Sequence, residues 1–250
     1  MNKGTKEGTE EEKKFVINFN RGSFSEFKKK FDIKQSIYAV RVEEKHYSVL
    51  SNKKVLPKSD VYLVDSNLNN EFLNKNNYLL NEKNTKELNL KKLLNSGISI
   101  KREDSKKYQI HKFTVSSFLK FINIPELAAG SSIYMKGDKT KFNRKILEIW
   151  RCEEAEFMKY HKFVKKKFDQ LNETELSEIK KLSNEQIKLI ITSNENKLNY
   201  IFSGKGYFEE PYCASWLYER GKITELRPYD FTVTTGSGRL KSPTIVIKPK

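Results

Sequence analysis

Cysteine and histidine are scarce in this chain, which has two Cys and three His among 250 residues. Cys152 and Cys213 lie far apart and neither belongs to a CxxC pair, so a structural zinc site is not expected. Two buried free thiols in a reducing compartment are the simpler expectation. Glycine and proline are also sparse, at 11 and 6 residues, which excludes collagen-like and linker-rich architectures.

Long apolar runs are absent as well. No stretch approaches the ~18 apolar residues that a membrane-spanning helix needs. The first ten residues are polar, and no apolar segment of a secretory leader follows them. We therefore expect a cytoplasmic protein that has no membrane partner.

Basic residues are in clear excess. The 48 Lys and Arg outnumber the 32 Asp and Glu, which gives a formal net charge of +16. An excess of this size favours a polyanionic partner, because each phosphate contact releases counterions. A lysine-rich proteome gives the same composition, so charge alone does not decide the function.

Apolar spacing divides the chain into helical and strand-like segments. Helical spacing is found from Thr9 to Arg21, with Thr9 and Glu12 forming an apparent capping box, and again over Ser25–Asp32. Further helices are expected at 87–94, 116–122, 142–150, 155–171 and 177–192. Strands are expected at SIYAVRV, HYSVL, DVYLV, GISIK, KLNYIF and in the tail YDFTVTT…PTIVIK.

This order predicts an α/β fold with a mixed central β-sheet flanked by helices. We expect a single domain over 1–250, with a catalytic core at about 9–125 and a helical and β-rich DNA-recognition part at about 126–250. The Asn-rich segment 66–96 reads as an insertion between two strands.

One candidate catalytic group is Asp60, which follows Pro57-Lys58-Ser59 and precedes the apolar run 61–64. Burying an unpaired carboxylate is costly, so an Asp at this position is expected to have a partner or a metal ion. The second candidate is Lys101, at the end of the strand 97–101. Side chains alternate along a strand, so Ser99 and Lys101 share one face, and Lys101 can lie beside Asp60 if the two strands pair.

Such a group suits phosphodiester hydrolysis. We expect Asp60 to bind Mg²⁺, which prefers oxygen ligands and keeps several waters. Lys101 is expected to orient or activate the attacking water and to stabilise the charge of the transition state. In the alternative, both residues have structural roles only: Asp60 caps a turn, and Lys101 is a solvated strand residue.

The pattern resembles the PD-(D/E)xK nuclease signature, in the variants that begin with KSD or KTD and have a neutral residue at the second acidic position. It is most similar to the short type II restriction endonucleases that cut GCGC or CCGG, the MspI-like group. The resemblance is carried in patches by NKGTKEGTEEEKKFV (2–16), PKSDVYLV (57–64), SIK (99–101) and FSGKGYFEEPYCASW (202–216), followed by a β-rich tail with GSGR.

The resemblance implies a restriction-endonuclease-like core, Mg²⁺-dependent double-strand cleavage and recognition of a short, palindromic, G·C-containing site. It makes Asp60 the metal-binding carboxylate, places Ser99 at the second acidic position, makes Lys101 the catalytic lysine and Glu12 an accessory carboxylate. The implied partners are double-stranded DNA and a cognate DNA methyltransferase in the host, with the enzyme acting as a monomer or homodimer. This chain departs from the family in the neutral, short Ser99 and in the long separation of Asp60 from Lys101.

Three basic or glycine-rich segments are candidate DNA contacts, each with an ordinary loop or turn as the alternative. They contribute Lys136 and Lys139; Lys205 and Tyr207; and Ser237, Arg239 and Lys241. Two other functions stay open at this point: a structure-specific repair or junction nuclease, and a non-catalytic nucleic-acid-binding protein.

Overall fold

A computed structural model describes residues 3–33, 36–101 and 108–250. The helices are α1 (Lys3–Asn20), α2 (Ser25–Lys28), α3 (Asn70–Lys75), α4 (Glu82–Glu87), α5 (Val115–Phe121), α6 (Pro125–Ser132), α7 (Asn143–Ile149), α8 (Glu154–Tyr160), α9 (Glu173–Thr192) and α10 (Glu195–Ser203). The strands are β1 (Ile37–Arg41), β2 (His46–Ser48), β3 (Ser51–Val55), β4 (Val61–Asp65), β5 (Lys91–Lys92), β6 (Ile98–Ile100), β7 (His111–Thr114), β8 (Trp216–Glu219), β9 (Lys222–Glu225), β10 (Phe231–Thr235) and β11 (Thr244–Pro249).

The described residues form two compact units. The first unit takes in the described residues of the ranges 1–106 and 202–228, and the second takes in those of 107–201 and 229–250. The chain is thus mixed α/β, as expected. The separation of a catalytic part from a DNA-recognition part at about residue 125 stays a prediction.

A mixed sheet forms the centre of the first unit, in the order β1-β4-β6-β8-β9, with β5 pairing with β4. Its pairs are antiparallel apart from the parallel pair of β6 with β8. Strand β4 is buried along Val61–Val64 because both faces of the sheet are covered. On one face, Phe15 and Phe19 of α1 pack on Val61, Leu63 and their neighbours. On the other face, Tyr62 and Val64 pack with Leu80, as the alternation of side chains requires.

The second unit places helices on a three-stranded antiparallel sheet, in the order β10-β11-β7. Its longest helix, α9, begins after Asn172, whose side chain accepts a hydrogen bond from Glu175 N at 3.0 Å. Glu175 in turn accepts one from Asn172 N at 3.0 Å, so a reciprocal capping box fixes this helix start. The glycine-rich segment 236–243 connects β10 to β11 as a turn.

Several sequence-based expectations about local structure are wrong. Helix α1 begins at Lys3, so Thr9 lies within the helix and is not its N-cap. The helix expected at 87–94 lies at Glu82–Glu87, because Asn81 caps the backbone N–H groups of Lys83 and Asn84. The segment 197–202, expected to be a strand, belongs to α10, and the helix expected at 155–171 ends at Tyr160.

Other expectations are confirmed. Strands form in the segments expected around Asp60 and Lys101, and Cys152 and Cys213 are buried free thiols. Within the described part of the chain, no helix combines the length and apolar character that crossing a membrane requires.

Candidate active site

Strand pairing brings Asp60 and Ser99 together. Strands β4 and β6 are antiparallel, with Val61 opposite Ile98, and Asp60 N donates to Ile98 O at 2.9 Å. The Asp60 carboxylate oxygen Oδ2 accepts hydrogen bonds from Ile100 N at 2.7 Å and from Ser99 Oγ at 3.3 Å. The segment 66–96 leaves after β4 and returns before β6, so its length does not prevent this contact.

Lys101 completes a chain of hydrogen bonds. Its ammonium nitrogen Nζ donates to Ser99 Oγ at 2.8 Å, and its backbone N–H donates to Tyr218 O of β8 at 2.8 Å. Ser99, which is buried, thus accepts a hydrogen bond from Lys101 and donates one to Asp60. The neutral hydroxyl at this position links the carboxylate to the ammonium group without adding a third charge.

Glu12 reaches the same region from α1. Its carboxylate accepts a hydrogen bond from Arg41 Nε at 2.8 Å, and both side chains are largely buried. Burial raises the pKa of Glu12, and the negative charge of Asp60 raises it further, while Arg41 and Lys101 act in the opposite direction. The charges of Asp60 and Lys101 are therefore close enough to Glu12 to influence its pKa.

Lys58 and Arg41 belong to this site but were missed as candidates from the sequence. Burial lowers the pKa of Lys58 to about 7, helped by the charge of Lys101 and opposed by that of Asp60. Gly204 lies against the Lys58 side chain, since an added Cβ would be 2.8 Å from Lys58 Cγ. The sequence did contain a signal for Lys58. It precedes Asp60 by two positions, and side chains two positions apart in an extended segment point to the same side of the chain.

The donor set suits a hard cation with few protein ligands. Asp60 and Glu12 supply two carboxylates, and the charge of Asp60 raises the pKa of Glu12, a repulsion that a bound cation would relieve. The described residues contain no group of three or more His, Cys, Asp and Glu that could hold a metal. Mg²⁺ fits this set, because it binds through one or two carboxylates and keeps several waters.

Two of the candidate DNA-binding residues lie in a loop beside this site. Lys205 and Tyr207 follow Gly204, which packs against Lys58, and Tyr207 O accepts a hydrogen bond from Val49 N at 3.1 Å. The positive φ of +77° at Gly204 and the contact with Lys58 both require a residue without a side chain.

The other candidate DNA-binding residues lie in the second unit. The Arg239 guanidinium lies 4.5 Å from the centre of the Tyr134 ring, and Lys139 Nζ lies 6.0 Å from it. Tyr134 therefore joins the loop that bears Lys136 and Lys139 to the loop that bears Ser237, Arg239 and Lys241. Tyr134 was missed from the sequence, although an aromatic residue directly before a basic run is a recognisable signal.

The site thus brings the Asp60 carboxylate, the Ser99 hydroxyl and the Lys101 ammonium group together, with the Glu12 carboxylate nearby and a loop that contains Lys205 beside them. No protein-family model matches the chain, and no curated protein matches its sequence.

Proposed function

We propose that this protein is a Mg²⁺-dependent endonuclease with a restriction-endonuclease-like core. It hydrolyses double-stranded DNA at a short palindromic site, as type II restriction enzymes do. The observation that carries the proposal is the convergence of Asp60, Ser99 and Lys101 in one hydrogen-bonded chain, with Glu12 beside it. These groups come from separate segments of the sequence, and each was a candidate on sequence grounds.

Each side chain has a role in this reaction. Asp60 and Glu12 would hold the metal ion, which would lower the pKa of bound water and offset charge on the phosphate. Lys101 positions the attacking water and stabilises the negative charge that develops on the phosphate oxygens. Ser99 orients the Lys101 ammonium group through its 2.8 Å hydrogen bond. Arg41 orients Glu12 in the same way.

The net charge supports DNA as the substrate. The formal charge of +16 favours a polyanion, and the candidate loop with Lys205 and Tyr207 lies beside the site. In the second unit, Arg239 and Lys139 around Tyr134 offer a guanidinium and an ammonium group of the kind that contacts phosphates and guanine edges.

The test is digestion of unmethylated phage DNA by the purified chain, with and without Mg²⁺, beside Asp60→Asn and Lys101→Met. Matched controls are Asp65→Asn, at the other end of β4, and Lys83→Met, an exposed lysine of the first unit. We expect discrete Mg²⁺-dependent fragments from the wild type and both controls, and intact DNA with the two site variants. Binding of DNA by the site variants should persist, since neither change removes the basic surface.

Other outcomes would assign a different function. Cleavage confined to branched or nicked DNA would make the protein a structure-specific nuclease. Binding that is indifferent to Mg²⁺, with no cleavage of any DNA, would make it a non-catalytic binding protein. Cleavage that survives in both site variants would place the active centre elsewhere in the chain.

A further inference from the structure

The hairpin β2–β3 exposes large apolar side chains to solvent. Tyr47, Val49 and Leu56 on or beside it are 68%, 72% and 69% exposed. Single exposed apolar residues are ordinary, but these three stand on or directly after one short hairpin, and the apolar surface that they expose contributes nothing to a core. Such a surface suggests contact with a partner.

The base of this hairpin is firmly held by a buried carboxylate. Glu82 is 2% exposed, and its Oε2 accepts hydrogen bonds from Glu43 N at 2.7 Å and Glu44 N at 2.6 Å. Its Oε1 lies 2.8 Å from His46 Nε2, and the His46 ring stacks on Tyr212 at 3.7 Å. Hydrogen bonds to Glu82 therefore fix the base of the hairpin, while its apolar side chains are exposed to solvent.

The hairpin begins and ends at the candidate active site. It forms the connection between β1 and β4, where Val42 N donates to Asp60 O at 2.9 Å. Both Lys58 N and Ser59 N donate to Tyr212 O at 3.2 Å, which fixes the returning strand directly before Asp60. A molecule whose phosphate reaches Asp60 and Lys101 would thus lie beside the hairpin.

The charge around the apolar side chains favours a polyanion. Lys45, Lys53 and Lys54 are exposed on the hairpin, and Lys54 Nζ lies 5.5 Å from the centre of the Tyr47 ring. The two acidic residues at its base are matched by cations: Glu43 pairs with Arg41 at 2.6 Å, and Glu44 pairs with Lys86 at 2.6 Å. Exposed apolar side chains set among lysines are the combination with which proteins enter a DNA groove and unstack bases.

We propose that the β2–β3 hairpin enters a groove of the bound DNA beside the scissile phosphate and places Tyr47, Val49 and Leu56 against the bases. This inference rests on the proposed DNA substrate and adds an element that distorts the duplex at the cleavage position. Unstacking a base step costs free energy, which the apolar contacts and the lysines offset.

The test compares Tyr47→Ser/Val49→Ser/Leu56→Ser with Leu94→Ser, in which an equally exposed apolar residue of the first unit (69%) is changed. Affinity for a duplex that contains the cleavage site, or for plasmid fragments if no site is found, is measured by fluorescence anisotropy without Mg²⁺. Base unstacking is followed with 2-aminopurine in the duplex, and folding with circular dichroism. We expect the triple variant to bind about tenfold or more weakly and to lose the 2-aminopurine signal, with its folding and the Leu94 variant unchanged.

The outcomes separate this inference from the proposed nuclease. Unchanged affinity and an unchanged 2-aminopurine signal in the triple variant would overturn the hairpin's role even if the wild type cuts DNA. A change from dimer to monomer in sedimentation, with DNA affinity intact, would also overturn it and assign the surface to a second copy of the chain. Hairpin-dependent DNA binding without any cleavage would refute only the nuclease, and failure of the wild type to bind DNA would refute both.

Discussion

A methyl group added at Gly97 should destabilise the first unit and disturb the candidate active site together. Gly97 lies directly before β6, where an ideal Cβ would be 1.8 Å from Cys213 O and 2.7 Å from Pro211 O. Real Cβ atoms essentially never approach other heavy atoms within 3.0 Å, so the backbone at 211–213 must shift in Gly97→Ala. The same segment supports Lys58 and Ser59 through Tyr212 O.

The expected loss in the free energy of unfolding follows from the steric clash and from the hydrogen bonds that a backbone shift would weaken. Overpacking of a well-packed interior costs about 1–3 kcal/mol. Gly97 O also accepts hydrogen bonds from Ser215 N at 2.8 Å and Trp216 N at 3.0 Å, and each contributes about 1 kcal/mol net. We expect Gly97→Ala to lower the free energy of unfolding by about 3 kcal/mol.

Urea unfolding followed by tryptophan fluorescence measures this loss. A Trp150→Phe background leaves Trp216 of the first unit as the reporter, since the chain has two Trp. Gly8→Ala is the matched control, because its added Cβ meets nothing within 4 Å, and it should stabilise α1 by up to about 1 kcal/mol. If the free energy of unfolding of Gly97→Ala lies within about 0.5 kcal/mol of the wild-type value, the segment 211–213 accommodates the added methyl group without the expected cost.

Three further changes have expected results. Glu12→Gln should raise the Mg²⁺ concentration for half-maximal cleavage by about tenfold or more, because one of two carboxylates loses its charge; an unchanged Mg²⁺ titration would remove Glu12 from the site. Lys180→Met should flatten the dependence of stability on pH. Burial and the charge of Arg239 lower the pKa of Lys180 from 10.5 to about 7, so its destabilising effect is full below about 7 and disappears as pH rises to 10.5; equal slopes of unfolding free energy against pH in the two proteins would contradict this. Asn20→Ala should lower the free energy of unfolding, measured in urea, by about 2–4 kcal/mol. Asn20 Oδ1 accepts a hydrogen bond from Ala39 N at 2.7 Å, and Asn20 Nδ2 donates one to Ala39 O at 3.0 Å. A loss below about 1 kcal/mol would show that water replaces these hydrogen bonds.

The strands that position the site could be predicted because their signal is local. Ile98 and Ile100 alternate with Ser99 and Lys101, and this period of two fixes which side chains share a face before any partner is known. The apolar run after Asp60 likewise indicated a strand. Lys101 was expected to lie beside Asp60 if their strands pair. In the structure the two residues are linked through Ser99 Oγ, which accepts a hydrogen bond from Lys101 Nζ at 2.8 Å and donates one to Asp60 Oδ2 at 3.3 Å. Their catalytic roles stay predictions.

The rest depended on contacts between distant parts of the chain. Strand β6 pairs in parallel with β8, more than a hundred residues later, and no local pattern indicates that partner. The bond of Glu12 to Arg41 and the burial of Lys58 against Gly204 also arise only when distant segments pack. In α10, Leu198, Ile201 and Phe202 follow helical spacing, while Leu198, Tyr200 and Phe202 alternate as in a strand, so the short apolar run did not distinguish a helix from a strand.

Asp60 and Lys101 are proposed to hydrolyse DNA with Mg²⁺, so single-turnover cleavage by variants of these two residues is the decisive measurement. Wild type, Asp60→Asn and Lys101→Met are each held in excess over a duplex that contains the mapped site, at saturating Mg²⁺. The geometry predicts that both variants bind the duplex but cut it at least about a hundredfold more slowly. Cleavage rates within about tenfold of the wild-type rate in both variants would show that neither Asp60 nor Lys101 is catalytic.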